Sequence, residues 1–407
     1  MPTLSKRLSE GSESLIGKTF ELALQLQAAG RTIHDLSKGE PDFPTDPHVA
    51  EAGRQAIGRG FTKYTATDGD GRTKQAIRER LQALGHRHYD DAEIIIGNGG
   101  MAVLGHIGMT LLDAGDEVIV PAPYWPSHAG MVNMLQATAR FVSCTTAERF
   151  KLQPAALRDA LSDRTRCLIL CSPNNPTGVV YSETELHALA DVLHDFPDVW
   201  ILSDEIYADI VFDGHPHASF AVVCPQLASR TVTLNGVSKG YAMTGWRIAY
   251  ATGPADVMDG ARQIMSHIGG SPSTIAQHAT VAALEGAQTS LAERAAEYQR
   301  RRDTILSRLQ PLNTLTIVAP AGAFYMFVDC TALIGMRTPD GTVIDSSIAF
   351  SRYLLTAERV AVVPGEAFGA PGCFRICFAV SSSTLESACS GLVSAVNALT
   401  PHQESPE

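Results

Sequence analysis

Lys239 is a candidate nucleophile, because it stands beside glycine and serine in NGVSKGYAMTGWR, directly after an apolar run. A lysine that is partly removed from water has a lowered pKa and can form a Schiff base with a carbonyl compound. Arg247 follows eight residues later and could bind a phosphate through two parallel hydrogen bonds. Each residue also has an ordinary interpretation, as a solvated lysine or as an arginine in a surface ion pair. Other residues must decide between the two interpretations.

A carboxylate and a phenol follow a second apolar run. Asp204 ends the strand predicted in VWILSDEIY, and Tyr207 comes three residues later, on the same side if a helical turn follows. A carboxylate in that position either caps the next turn or pairs with a buried cation.

Two further strand ends carry groups that could contact a ligand. Asn174 and Asn175 lie in the turn SPNNPTG, and Trp125 lies in PYWPSH. The asparagines could simply support a proline-bracketed turn, and the tryptophan could simply pack in the core. A flat apolar ring at a strand end is also suited to stacking on an aromatic ligand.

Glycines separate a predicted strand from a predicted helix in GNGG. Gly97, Gly99 and Gly100 would leave bare backbone amides at a helix N-terminus, where anions bind well. The same turn could be a plain connection. It is neither a G-x-G-x-x-G motif in a compact βαβ unit nor a Walker motif, since no GK[ST] follows.

Arg375 is a charge inside the apolar run FRICFA. A buried arginine needs an anionic partner, which either the protein or a ligand supplies, and a carboxylate matches the geometry of its guanidinium group.

The sequence predicts no metal site. Neither the HxH pairs His86/His88 and His215/His217 nor the loop TDGDGR has the further ligands that zinc or calcium requires. The eight cysteines include no CxxC and are expected to be buried free thiols in a reducing cytoplasm.

The elements that must position these groups alternate between strand and helix from about residue 48 to 260. Apolar strands are predicted around 93–96, 116–123, 166–171, 199–204 and 231–236, with helices at 101–112 and 183–194 between them. Continuous apolar strands separated by helices indicate a mainly parallel sheet covered on both faces. Ligands bind beyond the carboxyl ends of such strands, so the polar groups listed above are expected to converge on one crevice.

The length of 407 residues exceeds the roughly 250–300 residues at which a single core stops growing, which predicts either two domains or one large domain with a satellite. We predict a large domain at 45–290 and a smaller α+β domain formed by 1–44 with 291–407. A helix over 14–31, a helix over 290–309, strands around 322–328, 360–363 and 374–380, and a final helix over 383–399 belong to the small domain.

Composition excludes several classes of protein. The net charge of -11 gives no gain from counterion release on nucleic acid, so no nucleic-acid partner is expected. No apolar window is long enough to span a bilayer, and the N-terminus has no apolar segment typical of a secretory signal, so we expect a cytoplasmic location.

Taken together, these segments resemble the class I/II aminotransferases, the aspartate-aminotransferase-like enzymes of fold type I that use pyridoxal 5'-phosphate (PLP). The resemblance extends from about Leu4 to Leu399, and matching segments follow one another in order. These segments are LSKGEPDFP, KYTATDG, GDEVIVPAPYW, SPNNPTG, SDEIY, NGVSKGYAMTGWRIAY, GAFY, VVPGEAFG and FRICFA. The resemblance implies an α/β fold with a mainly parallel seven-stranded sheet in the large domain.

The resemblance also implies catalytic roles. Lys239 matches the lysine that carries PLP as a Schiff base and then shuttles a proton. Asp204 matches the aspartate that keeps the pyridinium nitrogen protonated, and this charge lets the ring withdraw electrons. Tyr207 and Asn175 match groups that hydrogen-bond the phenolic oxygen of PLP. Trp125 matches the aromatic residue that stacks on its ring.

Other positions match the phosphate cradle, the substrate site and the subunit interface. The cradle residues implied by the resemblance are Gly99, Gly100, Met101, Ser238 and Arg247. Arg375 matches the clamp for the substrate α-carboxylate, with Gly39 and Asn175 as further substrate contacts. Tyr64 matches a tyrosine that reaches the phosphate of the neighbouring subunit, which implies a homodimer with shared active sites.

Two positions depart from the pattern. Gly236 stands where many relatives have a phosphate-binding serine or threonine. Met101 stands where some acid-specific relatives have a basic residue that pairs with a side-chain carboxylate. Since methionine cannot form that pair, we expect a neutral, apolar or aromatic amino-acid donor rather than aspartate.

The predicted function is a ping-pong PLP-dependent transamination between an L-amino acid and a 2-oxo acid. A β- or γ-eliminating PLP lyase, or an oxygen-using or cyclising PLP enzyme, remains an alternative on the same motifs. A PLP-binding regulator would need an added DNA-binding segment, for which the matched region leaves little room.

Overall fold

The computed structural model describes residue 5 and residues 15–401. Within them lie thirteen α-helices: α1 (Leu15–Ala28), α2 (Pro47–Gly58), α3 (Gly71–Ala83), α4 (Gly100–Leu111), α5 (Pro126–Met134), α6 (Pro154–Ala160), α7 (Glu183–His194), α8 (Phe220–Val223), α9 (Ala255–His267), α10 (Thr274–Glu285), α11 (Thr289–Leu309), α12 (Ser347–Glu358) and α13 (Ser382–Asn397). Short 3₁₀ helices lie at Asp91–Glu93, Pro225–Arg230, Thr244–Trp246, Thr331–Leu333 and Gly365–Phe368.

The described part of the chain also forms thirteen strands: β1 (His34–Asp35), β2 (Ile94–Gly97), β3 (Glu117–Ala122), β4 (Thr138–Ser143), β5 (Thr165–Cys171), β6 (Trp200–Asp204), β7 (Thr231–Gly236), β8 (Ala249–Thr252), β9 (Thr316–Ile317), β10 (Tyr325–Asp329), β11 (Val360–Ala361), β12 (Val363–Pro364) and β13 (Cys373–Cys377).

Seven strands form the central sheet in the order β2-β8-β7-β6-β5-β3-β4. The pairs from β4 through β7 are parallel, whereas β8 runs antiparallel to both β7 and β2. Strands β2, β7 and β8 are buried along their whole length, because their residues pack against helices on both faces. This confirms the predicted α/β fold with a mainly parallel seven-stranded sheet. The antiparallel strand β8 was not predicted.

Local sequence signals explain where several helices begin. Helix α7 starts after Ser182, whose side chain accepts from the Glu185 amide while the Glu185 carboxylate accepts from the Ser182 amide. This reciprocal pair satisfies two amides that have no partner inside the helix. The predicted range of 183–194 agrees with α7. Helix α1 begins at Leu15 and ends at Ala28, so the predicted range of 14–31 is too long, and Ser14 lies outside the described residues.

A second, antiparallel sheet has the order β12-β13-β10-β9. Its register pairs Phe327 with Arg375 and Tyr325 with Cys377, which brings the start of β10 beside Arg375. A parallel pair, β1 with β11, holds the segment before Gly39. Aromatic residues of this region, including Tyr298 and Phe324, are completely buried in one core cluster.

Strand boundaries in this region differ from the prediction. The strand expected over 322–328 begins at Tyr325, and the one expected over 360–363 is split into β11 and β12. The division into domains at 45–290 and at 1–44 with 291–407 stays a prediction. The seven-stranded sheet lies between Ile94 and Thr252, and the four-stranded sheet between Thr316 and Cys377. Over the residues described, no helix has the length and apolar character needed to cross a membrane.

Candidate active site

A cleft of about 630 Å³ lies at the carboxyl ends of the central strands. The polar groups predicted from five strand ends therefore do meet. Eleven of the thirteen predicted site residues line the cleft: Gly39, Gly100, Met101, Trp125, Asn175, Asp204, Tyr207, Ser238, Lys239, Arg247 and Arg375.

The other two predicted residues lie elsewhere. Gly99 does not line the cleft, but it lies directly against Arg247, which does. Tyr64 does not line the cleft and is 95% exposed. Its predicted contact with a neighbouring subunit stays a prediction.

Lys239 follows β7 and points into the cleft. Its Nζ donates to the Gly39 carbonyl oxygen at 2.7 Å and lies 5.8 Å from the ring centres of both Tyr207 and Phe324. Burial disfavours the charged form and lowers the pKa of Lys239 to about 8. This lowered pKa leaves part of the amine uncharged near neutral pH, as the predicted nucleophilic role would require.

Asp204 ends β6 as a buried carboxylate, 2% exposed. His128 Nε2 donates to its Oδ2 at 2.9 Å, and the amide of Ile206 donates to its Oδ1 at 3.3 Å. Asp204 therefore caps the turn, and its buried partner is a histidine rather than a lysine or an arginine. His128 was not predicted as a site residue, although it lies one helical turn after Trp125, at the start of α5.

Trp125 is the N-cap of α5, and its ring contacts His128 edge-on with centroids 5.2 Å apart. Tyr207 follows Asp204 in a turn, as predicted, and its hydroxyl lies 2.8 Å from the hydroxyl of Tyr325. Burial raises the pKa of Tyr207 well above its ordinary value, so its hydroxyl keeps its proton and can donate it in a hydrogen bond. Tyr325 lies in the segment GAFY and was not predicted as a site residue.

The glycine turn and Arg247 lie side by side. Gly99 caps α4 with φ of 92°, and a Cβ on it would come within 2.1 Å of Arg247 Nη2. Glycine is therefore required here for its backbone conformation and for the space that Arg247 occupies. Arg247 also donates to the Thr244 carbonyl at 2.9 Å, which fixes the guanidinium above the start of α4. Helix amides and a guanidinium together suit a phosphate.

Arg375 is 3% exposed. Its Nη1 donates to Asn175 Oδ1 at 3.0 Å and its Nη2 to the Ser37 carbonyl at 2.6 Å, while its Nε has no hydrogen-bond partner among the described residues. No carboxylate in this part of the chain forms an ion pair with it. The described residues therefore do not supply the anionic partner expected from the sequence, and a ligand carboxylate would suit this position. Asn174, by contrast, supports the turn by donating to the Pro123 carbonyl at 3.1 Å.

These groups fit PLP. A nucleophilic amine, a buried carboxylate, an indole ring and a separate phosphate cradle are placed around one cleft. They match the aldehyde, the pyridinium nitrogen, the ring and the phosphate of that cofactor.

The position of Gly236 is closed to a larger side chain, because a Cβ there would lie 2.9 Å from Ala249 Cα.

The HxH pairs His86/His88 and His215/His217 were not expected to bind metal. His217 Nε2 donates to the buried carboxylate of Glu205 at 2.9 Å, and Ser203 and Ser219 donate to the same carboxylate. Within the described residues, no group of three His, Cys, Asp or Glu side chains is arranged to hold a metal ion. All eight cysteines are free thiols.

Comparison with known proteins gives one consistent result. A family model described as aminotransferase class I and II matches residues 31–392. A probable aspartate/prephenate aminotransferase of Rickettsia prowazekii is 41% identical over 98% of this chain and 100% of its own length. An aspartate aminotransferase of Rhizobium meliloti is 41% identical over 97% of this chain and 96% of its own.

Solved structures agree with this result. The crystal structure of the aspartate aminotransferase from Rhizobium meliloti superposes with a TM-score of 0.96 at 40% identity, covering 98% of this chain and 100% of that one. The aspartate aminotransferase from Thermus thermophilus with maleate gives a TM-score of 0.89 at 36% identity, covering 97% and 100%.

Proposed function

Since the chain belongs to the class I and II aminotransferases and is therefore a PLP-dependent aminotransferase, we propose that it uses the cleft around Lys239 to transfer the amino group of a neutral L-amino acid to a 2-oxo acid. The observation that carries this proposal is the arrangement of Lys239, Asp204 and Arg375 around one cleft. It combines an amine of lowered pKa, a buried carboxylate and a guanidinium without a carboxylate partner in the described chain.

Each residue has a distinct task in this proposal. Arg375 binds the substrate α-carboxylate, with Asn175 and Gly39 beside it. Lys239 would hold the cofactor covalently, and its amine would move a proton at the substrate α-carbon. Its pKa of about 8 suits both tasks, because the amine can lose and regain a proton near neutral pH.

Other residues hold the cofactor. Bound PLP supplies a ring that withdraws electrons from the α-carbon. Asp204, held by His128, would keep the ring nitrogen protonated, and Tyr207 and Asn175 would hydrogen-bond the phenolic oxygen. Trp125 would stack on the ring. The amides of Gly99, Gly100 and Met101, together with Ser238 and Arg247, would hold the phosphate.

Met101 supports the preference for a neutral donor. Its side chain is 59% exposed, lies in the first turn of α4 and lines the cleft. A thioether offers apolar contact and no charge, so an apolar or aromatic substrate side chain could bind beside it without an unfavourable contribution to the binding free energy.

Aspartate is the second candidate donor, because the printed names of several relatives include aspartate. Lys38 lines the same cleft, with its Nζ 3.3 Å from Asp35 Oδ2 and its side chain 57% exposed. It could turn toward the distal carboxylate of aspartate in place of a basic residue at position 101.

A donor panel with one 2-oxo acid acceptor separates these candidates. We expect kcat/KM for L-phenylalanine or L-leucine to exceed that for L-aspartate by tenfold or more. The reverse order would reject the neutral preference. Release of ammonia without an acceptor would indicate the eliminating or oxidising alternatives instead of transamination.

Two variants test which residue determines the preference between neutral and acidic amino-acid donors. Met101→Lys should raise kcat/KM for aspartate relative to phenylalanine. Lys38→Met should leave the ratio unchanged if the neutral preference is right, and should lower aspartate turnover if Lys38 binds the distal carboxylate.

The homodimer and the cytoplasmic location are further parts of the proposal. The exposed Tyr64 supports a dimer in which each subunit completes the phosphate site of the other. Equilibrium sedimentation of the parent and of Tyr64→Phe, together with their dissociation constants for PLP, tests this part. We expect both to be dimers and the variant to bind PLP more weakly.

A further inference from the structure

Tyr325 has no role in the function proposed above, yet it contacts both Tyr207, which is assigned to the cofactor, and Arg375, which is assigned to the substrate carboxylate. It opens β10 and is completely buried. Its partner in β13 is Cys377, two residues beyond Arg375, so the sheet register brings the ring of Tyr325 under the guanidinium.

The hydroxyl of Tyr325 has two close neighbours. The Tyr207 hydroxyl is 2.8 Å away. Gly39 is so near that a Cβ on it would lie 2.7 Å from the Tyr325 oxygen. The hydroxyl therefore lies between the phenol assigned to the cofactor and the backbone assigned to the substrate carboxylate.

The aromatic ring of Tyr325 packs against the guanidinium group of Arg375. Arg375 Cζ lies 4.6 Å from its centroid, and the Phe368 ring is 4.9 Å from the same carbon. The guanidinium is therefore held by its hydrogen bonds to Asn175 and Ser37 and by contact with these two rings, while its Nε has no hydrogen-bond partner among the described residues.

We propose that Tyr325 is a positioning residue with two separable actions: its hydroxyl donates to the Tyr207 oxygen, and its ring holds Arg375 in place to receive a carboxylate. This inference rests on the roles proposed above for Tyr207 and Arg375.

The hydroxyl action follows from the polarisation of linked hydrogen bonds. A Tyr207 oxygen that accepts a hydrogen bond becomes a stronger donor through its own O–H group. A stronger bond to the phenolic oxygen of PLP makes that oxygen a poorer acceptor for the proton on the adjacent cofactor–lysine nitrogen. Removing the Tyr325 hydroxyl should therefore raise the pH at which the bound cofactor loses this proton.

The first experiment is a pH titration of the visible absorbance of the PLP-loaded protein, without substrate. Tyr325→Phe removes the hydroxyl and keeps the ring. Because Tyr325 acts only through Tyr207, and one linked hydrogen bond strengthens the next by about 10–30%, we expect the midpoint to rise by roughly 0.1–0.5 pH unit. Tyr298→Phe is the matched control, because its buried hydroxyl has no hydrogen-bond partner among the described residues. A midpoint in Tyr325→Phe equal to that of the control overturns the hydroxyl action.

The second experiment separates the ring from the hydroxyl. Tyr325→Met keeps apolar volume and removes the aromatic face. The donor KM should stay within about twofold of the parent in Tyr325→Phe, and rise roughly two- to thirtyfold in Tyr325→Met, as expected for loss of a cation–π contact. Equal KM values in the two variants overturn the ring action. The absorbance titration needs no turnover, so failure of the proposed transamination would be visible separately as a parent protein without product.

Discussion

The amine of Lys239 and the guanidinium of Arg375 are held by the same short backbone segment. Lys239 Nζ donates to the Gly39 carbonyl at 2.7 Å, and Arg375 Nη2 donates to the Ser37 carbonyl at 2.6 Å. These carbonyls are two residues apart, directly after β1. The nucleophile and the proposed carboxylate clamp are thus aligned by one segment, although they come from β7 and β13.

Lys239→Ala should abolish transamination, because the variant lacks both the covalent attachment and the group that moves the proton. It should stay folded and still bind PLP non-covalently through Arg247 and the glycine turn. Steady-state product formation and PLP binding by equilibrium dialysis measure the two effects. Lys151→Ala is a suitable control, since that lysine pairs with Glu185 outside the cleft. Retained turnover in Lys239→Ala would show that another residue is the nucleophile.

Covalent capture of PLP by the apoprotein should depend on pH with a midpoint near 8, because burial lowers the pKa of Lys239 to about that value. Below the midpoint the amine is protonated and cannot attack, so the rate rises with pH and levels off above it. Stopped-flow absorbance after mixing with PLP measures this rate. A midpoint near 10 would mean that the amine behaves as a solvated lysine.

Arg375→Ala should impair every amino-acid donor alike. Loss of a buried charged partner costs about 2–5 kcal/mol, which corresponds to an increase in KM of roughly thirtyfold or more. KM values for L-phenylalanine and L-aspartate, measured beside the exposed control Arg308→Ala, test this expectation. If only aspartate is affected, Arg375 recognises the side chain and the α-carboxylate binds elsewhere.

His128→Leu should weaken the site through Asp204, because it leaves a buried carboxylate without its histidine donor. The cost of such a group is about 1–3 kcal/mol, and we expect a lower melting temperature and weaker PLP binding. His128→Asn, which restores a donor, should recover part of both. Calorimetry of the apoprotein and PLP titration provide the measurements. Unchanged PLP affinity in His128→Leu would contradict a role for this pair at the cofactor.

The site could be predicted where its residues lie in continuous motifs. Lys239 and Arg247 share one segment, and Asp204 follows a strand whose apolar run is visible in the sequence. His128 and Tyr325 could not be assigned in this way, because their partners Asp204 and Tyr207 are 76 and 118 residues away. These contacts depend on which strands become neighbours, and no local pattern encodes that order. The reversed strand β8 was missed for the same reason, since its short apolar run has no feature that indicates its direction.

The reversal of β8 has a consequence for how the site tolerates change. Because β8 runs antiparallel to β7, one loop from Val237 to Ile248 joins the two strands at the same end of the sheet. This loop carries Ser238, Lys239 and Arg247 into the cleft. Ser238 and Arg247 are therefore separated by a fixed length of chain, and the pair Gly236 and Ala249 holds the base of the loop. An insertion or deletion in this loop would therefore move Arg247 relative to Lys239, so the proposed function constrains the length of the loop as well as its sequence.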